Sequence, residues 1–428
     1  MFEIESKLEQ REQEGRPIRV GLIGAGQMGT EIVTQIGEMV GMEVVAVVDL
    51  TAEQAVKGYE YSRKQRKVVF TESILDAEKA VAAGSVIATT NYKIATSLAE
   101  IDVVIDATGS VEMGAIVTLD AINHKKHIVM MSVECDVTIG PVLRQMAENA
   151  GVVYSLASGD EPAAILELYR FAKPLGFEIV AAGKGKNNPL DVYATPIDLA
   201  DKARARDMSA KMLCEFVDGS KTAIEMAAVS NATGLLPDIR GMHGAQAKVD
   251  TLNTVFIPKR DGGVLERSGV VDFAIGVHPG VFLIVKTDNK RIMEGLVQRD
   301  MGLGPYYTLF RPFHLTSIEV PLTVAKAVFY RESSGHPKKR LNSECIAIAK
   351  KDLKSNDVLD GIGEFCYRGS IEIAEVARKE RLLPLGIARG CRLTRDVKRD
   401  TPISYDMITT GKETVLVQLR RIQDQLYV

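Results

Sequence analysis

A glycine-rich turn between a predicted strand and a predicted helix constrains the fold of this chain more than any other feature. The turn, residues 24–29, follows an apolar run at residues 20–23 and precedes a helical pattern of apolar residues. In a G-x-G-x-x-G turn, the first glycine permits the tight bend, the second lets the backbone approach a pyrophosphate and the third allows close helix–strand packing. The N-terminus of the following helix attracts the anion. The residues predicted to contact a dinucleotide here are Gly24, Gly26, Gln27, Met28 and Gly29.

An acidic residue at the end of the second predicted strand supports this interpretation. Residues 44–48 form a β-rich apolar run, and Asp49 follows them, twenty residues after Gly29. A carboxylate at this position is placed to bind a ribose 2′-hydroxyl. Strand, helix and acid together indicate NAD or NADP binding. The alternative is a glycine-rich turn in another kind of α/β protein.

Strand-like runs and helical segments continue to alternate up to about residue 160. We expect residues 51–83 to be mostly helical, and the runs at residues 86–88, 103–106, 127–131 and 152–156 to be strands. This alternation predicts an α/β fold with a doubly wound parallel Rossmann sheet. Ligands bind at the carboxyl ends of such strands. The polar residues expected at that edge are Asp49, Thr108, Gly109, Glu134, Asp160 and Glu161.

Length, charge and cysteine content narrow the class of protein. A chain of 428 residues corresponds to two or three domains at ~150 residues each. Its net charge of −3 and the lack of a basic tract argue against nucleic acid, and no apolar run reaches the ~18–20 residues of a membrane span. The five cysteines are scattered and never form C-x-x-C, which disfavours disulfides and cysteine zinc sites. We therefore expect a cytoplasmic protein whose partner is a small-molecule substrate.

A polar stretch after the predicted strand at residue 179 is the first candidate for reaction chemistry. Lys184 and Lys186 are two residues apart, so on an extended segment they share one face. They could hold a substrate carboxylate or phosphate, and one with a lowered pKa could protonate a developing alkoxide. Asn187 and Asp191 would add hydrogen bonds. The alternative is a solvated, flexible basic loop.

A predicted helix supplies the second candidate group. Asp218, Lys221 and Glu225 share one face by their spacing, and almost every neighbour of Glu225 is apolar. A helix that is apolar all round is buried, so its carboxylate must be paired or functional. Glu225 either pairs with Lys221 or serves as an acid/base or metal ligand. Glu161 and Glu134 are further candidate ligands for a divalent ion, although their spacing is not a metal motif.

The remaining chain predicts two further domains. Residues 245–330 look β-rich and antiparallel, with strands expected at residues 254–257, 270–275 and 281–286. Residues 331–342 are polar and resemble a linker, after which short β-type runs follow. We predict a Rossmann domain at residues 1–160, an α+β catalytic and dimerisation domain at 161–335, and a small β-rich domain at 336–428.

Several motifs resemble one family, the homoserine-dehydrogenase-like oxidoreductases with a C-terminal SAF (β-clip) domain. This group includes the deoxyxylulose-phosphate reductoisomerase-like enzymes. The SAF resemblance lies in residues 343–412. The other motifs are Gly-Leu-Ile-Gly-Ala-Gly-Gln-Met-Gly at 21–29, Asp-Ala-Thr-Gly at 106–109, Gly-Lys-Gly-Lys-Asn-Asn-Pro-Leu-Asp at 183–191, Phe-Val-Asp-Gly-Ser-Lys-Thr-Ala-Ile-Glu-Met-Ala at 216–227 and Gly-Pro-Tyr-Tyr at 304–307.

This resemblance implies conversion of 1-deoxy-D-xylulose 5-phosphate to 2-C-methyl-D-erythritol 4-phosphate with NADPH, a step of isoprenoid synthesis, by a homodimer. That reaction needs cations for the phosphate, an acid/base and usually a divalent metal, Mg²⁺ or Mn²⁺. The residues available for these roles are Lys184, Lys186, Lys211 and Lys221 as cations and Glu161, Asp218 and Glu225 as acids. Lys211 also matches, by context, the proton-donating lysine of homoserine dehydrogenases.

Substrate and cofactor choice stay open at this point. The alternatives are a homoserine-dehydrogenase-like enzyme for another small hydroxy acid, amino acid or polyol, and a non-catalytic cofactor-sensing or carbohydrate-binding protein. Asp49 argues for NAD because an acid repels the 2′-phosphate of NADP, unless Arg63, Lys64 or Arg66 compensates.

Overall fold

The computed structural model describes residues 3–186 and 188–427. They form two compact units. The first comprises Met1–Ala163, Leu315–Lys339 and Gln418–Val428, and the second comprises Ala164–His314 and Arg340–Val417. Within the described part of the chain, no helix combines the length and apolar composition needed to cross a membrane.

The strands and helices alternate along most of the chain. The strands are β1 (Ile18–Ile23), β2 (Met42–Val48), β3 (Val68–Phe70), β4 (Val86–Thr89), β5 (Val103–Asp106), β6 (His127–Met130), β7 (Tyr154–Leu156), β8 (Glu178–Lys186), β9 (Leu236–Pro237), β10 (Val270–Ile275), β11 (Val281–Lys286), β12 (Tyr306–Arg311), β13 (Ser343–Ala349), β14 (Tyr367–Ile373), β15 (Arg392–Leu393) and β16 (Ile408–Thr409). The helices are α1 (Ile4–Gln13), α2 (Gln27–Glu38), α3 (Ala52–Lys57), α4 (Ile74–Ala82), α5 (Tyr92–Ser97), α6 (Val111–Asn123), α7 (Val133–Ala150), α8 (Glu161–Ala172), α9 (Ala200–Arg204), α10 (Ala210–Val217), α11 (Ser220–Thr233), α12 (Leu252–Val255), α13 (Lys290–Val297), α14 (Thr316–Tyr330), α15 (Ala374–Lys379) and α16 (Val415–Leu426).

The first unit is built on a parallel sheet of seven strands in the order β3-β4-β2-β1-β5-β6-β7. This confirms the predicted α/β fold with a doubly wound Rossmann sheet. β1 lies in the middle, so the glycine-rich turn leaves the sheet where its strand order reverses. In open α/β sheets that position is the ligand crevice.

Apolar stripes of α2 and α14 supply much of the core of the first unit. Ile32 and Ile36 of α2 and Val320 and Val324 of α14 belong to one buried cluster with the central strands. Each pair is spaced i, i+4, which places both side chains on the same face of its helix.

Two predictions from local composition were wrong. Residues 51–83 are not mostly helical, because β3 extends the sheet beside β4 between α3 and α4. A three-residue edge strand leaves little periodic signal. Residues 316–330 form α14 although residues 245–330 were predicted to be β-rich, because burial of one stripe of this helix overrides local propensity.

The second unit contains a mixed sheet in the order β12-β11-β8-β10-β9. β8 pairs antiparallel with β11 and parallel with β10. The prediction of an antiparallel region was therefore only partly correct. The strands predicted at residues 270–275 and 281–286 are confirmed as β10 and β11, whereas α12 replaces the strand predicted at 254–257.

We call Arg340–Val417 of the second unit the C-terminal segment. It contains the antiparallel hairpin β13–β14 and the small pair β15–β16. Helix α11 packs against β8 and β10 and also against β13 and β14. The predicted division of the chain into three domains stays a prediction.

Candidate active site

The glycine-rich turn has the geometry that close approach of a dinucleotide requires. Gly24 has a φ of +100°, and a Cβ there would lie 2.4 Å from the Ala107 carbonyl oxygen. A Cβ on Gly29 would lie 1.9 Å from the Gly24 oxygen. By contrast, the Cβ position of Gly26, the N-cap of α2, meets no atom within 4 Å. The open space therefore lies at the helix N-terminus, where a pyrophosphate fits.

Gln27 and Met28 begin α2 directly beyond this open space. The turn is held from β2 by Asp49, whose Oδ2 accepts from the Ala25 amide at 2.6 Å. Its Oδ1 accepts from the Leu50 amide, also at 2.6 Å. The carboxylate thus stands at the carboxyl end of β2, as predicted from its spacing.

The basic residues proposed to offset Asp49 lie elsewhere. Their partners are Glu38 at 3.0 Å for Arg63, the Met42 carbonyl for Lys64 and Glu43 at 3.2 Å for Arg66. Met42 and Glu43 begin β2, whereas Asp49 follows its last residue. At ~3.3 Å per strand residue, the two ends are ~20 Å apart. Lys64 and Arg66 are therefore held away from Asp49 and its repulsion of a 2′-phosphate, and Arg63 is paired with the last residue of α2.

The next strands place the other predicted cofactor residues. After β5, Asp106 Oδ1 accepts from the amide of Thr108 at 3.1 Å and from its hydroxyl at 2.7 Å, which shapes the turn into Gly109. Burial raises the pKa of the Asp106 carboxyl. After β6, the largely buried Glu134 lies in the first turn of α7. Glu161 is the first residue of α8, after β7.

In the second unit, the two candidate lysines are buried at the end of β8 and do not form a solvated loop. Lys184 and Lys186 are only 8% and 5% exposed. The intervening glycines explain this arrangement, because a Cβ on Gly183 would lie 2.4 Å from the Asp272 oxygen and one on Gly185 only 1.5 Å from the Val277 oxygen. Glycines allow tight backbone packing on one face of the strand, and the lysines point to the other face.

A buried carboxylate meets the first of these lysines. Lys184 Nζ contacts Glu225 Oε2 on α11, and the Glu225 side chain is 2% exposed. Glu225 is therefore an ionic partner of Lys184. The sequence had offered only Lys221 as its partner.

Lys186 has the properties of an acid/base group. Its Nζ donates to the Phe216 carbonyl at 2.5 Å. Burial, with a further contribution from the nearby charge of Lys184, lowers the pKa of Lys186 to about 8, although Glu225 and Asp218 oppose the shift. Such a pKa suits proton exchange near neutral pH.

Asp218 is held by a residue that sequence reasoning missed. Its Oδ2 lies 2.6 Å from Nζ of Lys350, and its Oδ1 accepts from the Ser220 amide at 2.8 Å. Burial raises the pKa of Asp218, and the Lys350 ammonium opposes this rise. Lys350 directly follows the buried strand β13. A lysine in such a position was the available signal, but the sequence does not reveal its partner.

The remaining candidates lie around this group with different exposure. Lys211 on α10 is 3.0 Å from Glu364, and its side chain is 41% exposed. Lys221 is half-buried in the first turn of α11. The Asp191 amide donates to the Val217 carbonyl at 3.0 Å. Asn187 lies outside the described residues.

A Rossmann unit with an open phosphate cradle, together with buried acid/base side chains, defines the class of an NAD(P)-dependent oxidoreductase. Comparison with known families agrees. Residues 24–156 match the family described as homoserine dehydrogenase, NAD binding domain. Residues 159–320 match the family described as oxidoreductase DRL, catalytic domain. The chain is therefore an NAD(P)-dependent enzyme of the dehydrogenase type.

No curated protein matches the chain. The chain is also similar to several solved structures. A probable dehydrogenase from Thermotoga maritima is 12% identical, with 69% of this chain and 75% of that chain covered at a TM-score of 0.37. The WlbA dehydrogenase from Bordetella pertussis, in complex with NADH and UDP-GlcNAcA, is 17% identical, with 41% of this chain and 48% of that chain covered at a TM-score of 0.29. The 1-deoxy-D-xylulose 5-phosphate reductoisomerase from Zymomonas mobilis, in complex with NADPH, is 19% identical over 49% and 57% at 0.35. The chain spans about half of each of the last two proteins.

Proposed function

We propose that this enzyme uses NAD(P)H to convert 1-deoxy-D-xylulose 5-phosphate into 2-C-methyl-D-erythritol 4-phosphate. The observation that carries the proposal is the buried group of Lys184, Lys186 and Glu225 within the segment that matches the DRL catalytic domain. Two buried lysines beside one carboxylate suit an anionic, oxygen-rich substrate, because charge-assisted hydrogen bonds are strong in a dry environment.

The side chains divide the proton chemistry between them. The carbon skeleton of the substrate must first rearrange to an aldehyde, one C–C bond breaking as another forms; the cofactor, when bound, would supply the hydride for the carbonyl carbon of that aldehyde. Lys186, with a pKa of about 8, donates its proton to the carbonyl oxygen as negative charge develops there. Glu225 contacts Lys184 and orients its ammonium group, which stabilises the same oxygen or its neighbour by charge.

The phosphate and a metal require further groups. Lys221, half-buried at the start of α11, is the proposed phosphate ligand. A divalent ion, Mg²⁺ or Mn²⁺, would take oxygen ligands, and Glu161 is the proposed protein ligand. We also propose that the enzyme is a cytoplasmic homodimer and that residues 343–412 form an SAF domain.

A second function is a dehydrogenase of another small hydroxy acid, amino acid or polyol, with homoserine as one option. The match of residues 24–156 to a homoserine dehydrogenase cofactor domain favours it. A proton-donating lysine is needed in this reaction too, so the site is compatible with either substrate class.

The test is turnover by the full-length protein. NADPH and NADH oxidation are followed at saturating deoxyxylulose phosphate with Mg²⁺ or Mn²⁺, and the product is identified by NMR. We expect methylerythritol phosphate in equal amount to the cofactor oxidised. If no cofactor is consumed with either metal, the first function is wrong, and homoserine and polyol substrates are then screened with NAD⁺ and NADP⁺.

A further inference from the structure

We propose that the C-terminal segment is a positioning device for α11, the helix that presents Glu225 to Lys184, and that Lys350 is its principal positioning residue. The inference rests on the proposed function insofar as it takes Lys184, Lys186 and Glu225 as the reacting group. It gives the C-terminal segment a role that neither family match covers, since the catalytic-domain match ends at residue 320.

The first contact is a buried ion pair at the junction of α10 and α11. Lys350 Nζ lies 2.6 Å from Asp218 Oδ2, and their side chains are 2% and 0% exposed. It also donates to the carbonyls of Ala194 at 2.8 Å and Glu364 at 2.9 Å. A lysine ammonium has three protons, so these acceptors can use all of them. Asp218 at the junction is thereby held by an ammonium group that two backbone carbonyls keep in place.

The second contact joins the backbone of the hairpin to the first residue of the helix. The Gly369 amide of β14 donates to Ser220 Oγ at 2.7 Å. A Cβ on Gly369 would lie 3.1 Å from Ser220 Cα, so the missing side chain allows this approach. Ser220 is also bound to Asp218, which links the two contacts.

The third contact fixes the other end of α11. Asn231 Oδ1 accepts from the amides of Asn342 at 2.7 Å and Ser343 at 3.0 Å. The hydroxyls of Ser230 and Ser343 lie 2.5 Å apart. The segment that leads into β13 therefore holds one end of the helix, and Lys350, just after β13, holds the other. Glu225 lies between them.

The charge of Lys350 makes it the principal residue of this device. A buried ion pair adds little net stability compared with apolar residues, but removing one partner leaves the other charge unpaired. Lys350 acts only through Asp218 and the helix junction. Because a ~1 Å displacement of reacting groups can cost ~10²-fold in rate, loosening this junction should lower turnover without touching the cofactor turn.

The experiment compares full-length Lys350→Met with Lys398→Met, whose lysine pairs with Asp352 at 2.9 Å on the surface of the same segment. Acetic anhydride labelling at pH 8, read by mass spectrometry, measures how exposed Lys184 and Lys186 become. We expect their labelling to rise about tenfold in Lys350→Met, as for an easier local opening, and to stay unchanged in Lys398→Met. This measurement needs no substrate, so it stands apart from failure of the proposed function.

Two further readouts separate positioning from general unfolding. The buried Cys391 and the buried Lys126 should remain unlabelled by acetic anhydride in Lys350→Met. With deoxyxylulose phosphate, kcat should fall about 10²-fold while the dissociation constant of the cofactor is unchanged. If Lys350→Met does not fold, Ser220→Ala replaces it, because this substitution leaves no charge unpaired. The labelling of Lys184 and Lys186 should then rise by a smaller factor. Unchanged labelling of Lys184 and Lys186 in the folded variant would overturn the proposal.

Discussion

The cofactor turn of the first unit and the lysine–glutamate group of the second unit are built in opposite ways. The turn uses the backbone: Gly24 bends it, Gly26 leaves it open, and Asp49 holds it through the Ala25 amide at 2.6 Å. The lysine–glutamate group uses buried charges, with Lys184 and Glu225 both at most 10% exposed at their side chains. The first region thus depends on conformation and the second on pairing.

This difference teaches where each region is vulnerable. An extra methyl group damages a backbone site because it fills space that the chain or ligand needs. A neutral substitution damages a charged site because the remaining partner is left buried and unpaired. Mutations of the two kinds should therefore separate cofactor binding from turnover.

The largest effect is expected for Glu225→Gln. Loss of the carboxylate removes the buried charge that faces the Lys184 ammonium, so the lysine is no longer held in place. We expect kcat to fall about 10²–10⁴-fold, as for other acid/base or electrostatic groups. Steady-state kinetics with either proposed substrate measures it. Retention of at least half the turnover would show that the reaction occurs elsewhere in the molecule.

The control for this variant is cofactor binding. Fluorescence titration with NADH and NADPH should give unchanged dissociation constants in Glu225→Gln, because the glycine turn and Asp49 are intact. Weaker binding of both cofactors would mean that the two regions are not separable.

The second prediction is that alanine substitutions of Gly24 and Gly26 have different effects. In Gly24→Ala, the new Cβ meets the Ala107 oxygen at 2.4 Å and the φ of +100° is strained, so we expect a loss of ~1–3 kcal/mol of stability. In Gly26→Ala, the Cβ meets nothing within 4 Å, so thermal stability should be unchanged while cofactor binding weakens about 10²-fold. Thermal unfolding with and without NADH checks both. Equal loss of stability in the two variants would contradict the assignment of the open space.

The third prediction concerns pH. Lys186 must be protonated to donate, so kcat/KM for carbonyl reduction should fall about tenfold per pH unit above a pKa of about 8. Stability should change in the opposite direction, since the unfolded chain, with a lysine pKa near 10.5, binds more protons between about pH 8 and 10.5. Rate measurements and urea unfolding over pH 7–10 test both directions. In Lys186→Met, the fall in kcat/KM at high pH should be absent. A rate that stays flat to pH 10 would remove Lys186 as the donor.

The sequence predicted the cofactor side better than the reaction side because their determinants differ in range. Gly24, Gly26 and Gly29 act through local backbone geometry, and Asp49 through strand length, so spacing alone places them. The alternation of Lys184 and Lys186 also predicted a shared face. Their burial was not predicted, because it depends on the Val277 backbone passing 1.5 Å from where a Gly185 Cβ would lie.

Long-range pairing explains what could not be predicted. Glu225 was correctly judged to need a partner if buried, but the nearest lysine in sequence, Lys221, was the obvious choice. Glu225 contacts Lys184 on β8, a partner that no local pattern indicates. Lys350 meets Asp218 only because β13 and β14 pack beside α11, which no local pattern encodes. In α14, likewise, tertiary burial overrides the strand propensity of its residues.

The fourth prediction concerns the choice of cofactor. With Lys64 and Arg66 engaged at the start of β2 and Arg63 at the end of α2, Asp49 is expected to favour NAD over NADP. Asp49→Asn removes the repulsion between a carboxylate and the 2′-phosphate, so NADP should gain about tenfold in affinity relative to NAD, as for ~1.4 kcal/mol. Competition titrations of the two cofactors measure this ratio. Tighter binding of NADP than NAD by the unmodified enzyme would show that Asp49 does not select.

The smallest effect is expected for Lys211→Met. Resemblance to homoserine dehydrogenases suggested this lysine as a proton donor, but its Nζ is 3.0 Å from Glu364 and its side chain is 41% exposed. Such an exposed ion pair contributes ~0–1 kcal/mol. The free energy of unfolding should therefore change by no more than that amount, and kcat should stay within about threefold of the unmodified enzyme. The comparison with Lys186→Met decides between the two lysines, because only one can set the basic limb of the pH profile. Loss of that limb in Lys211→Met would move the proton donor from the buried end of β8 to the surface of α10, and would favour the homoserine-dehydrogenase-like function over the reductoisomerase.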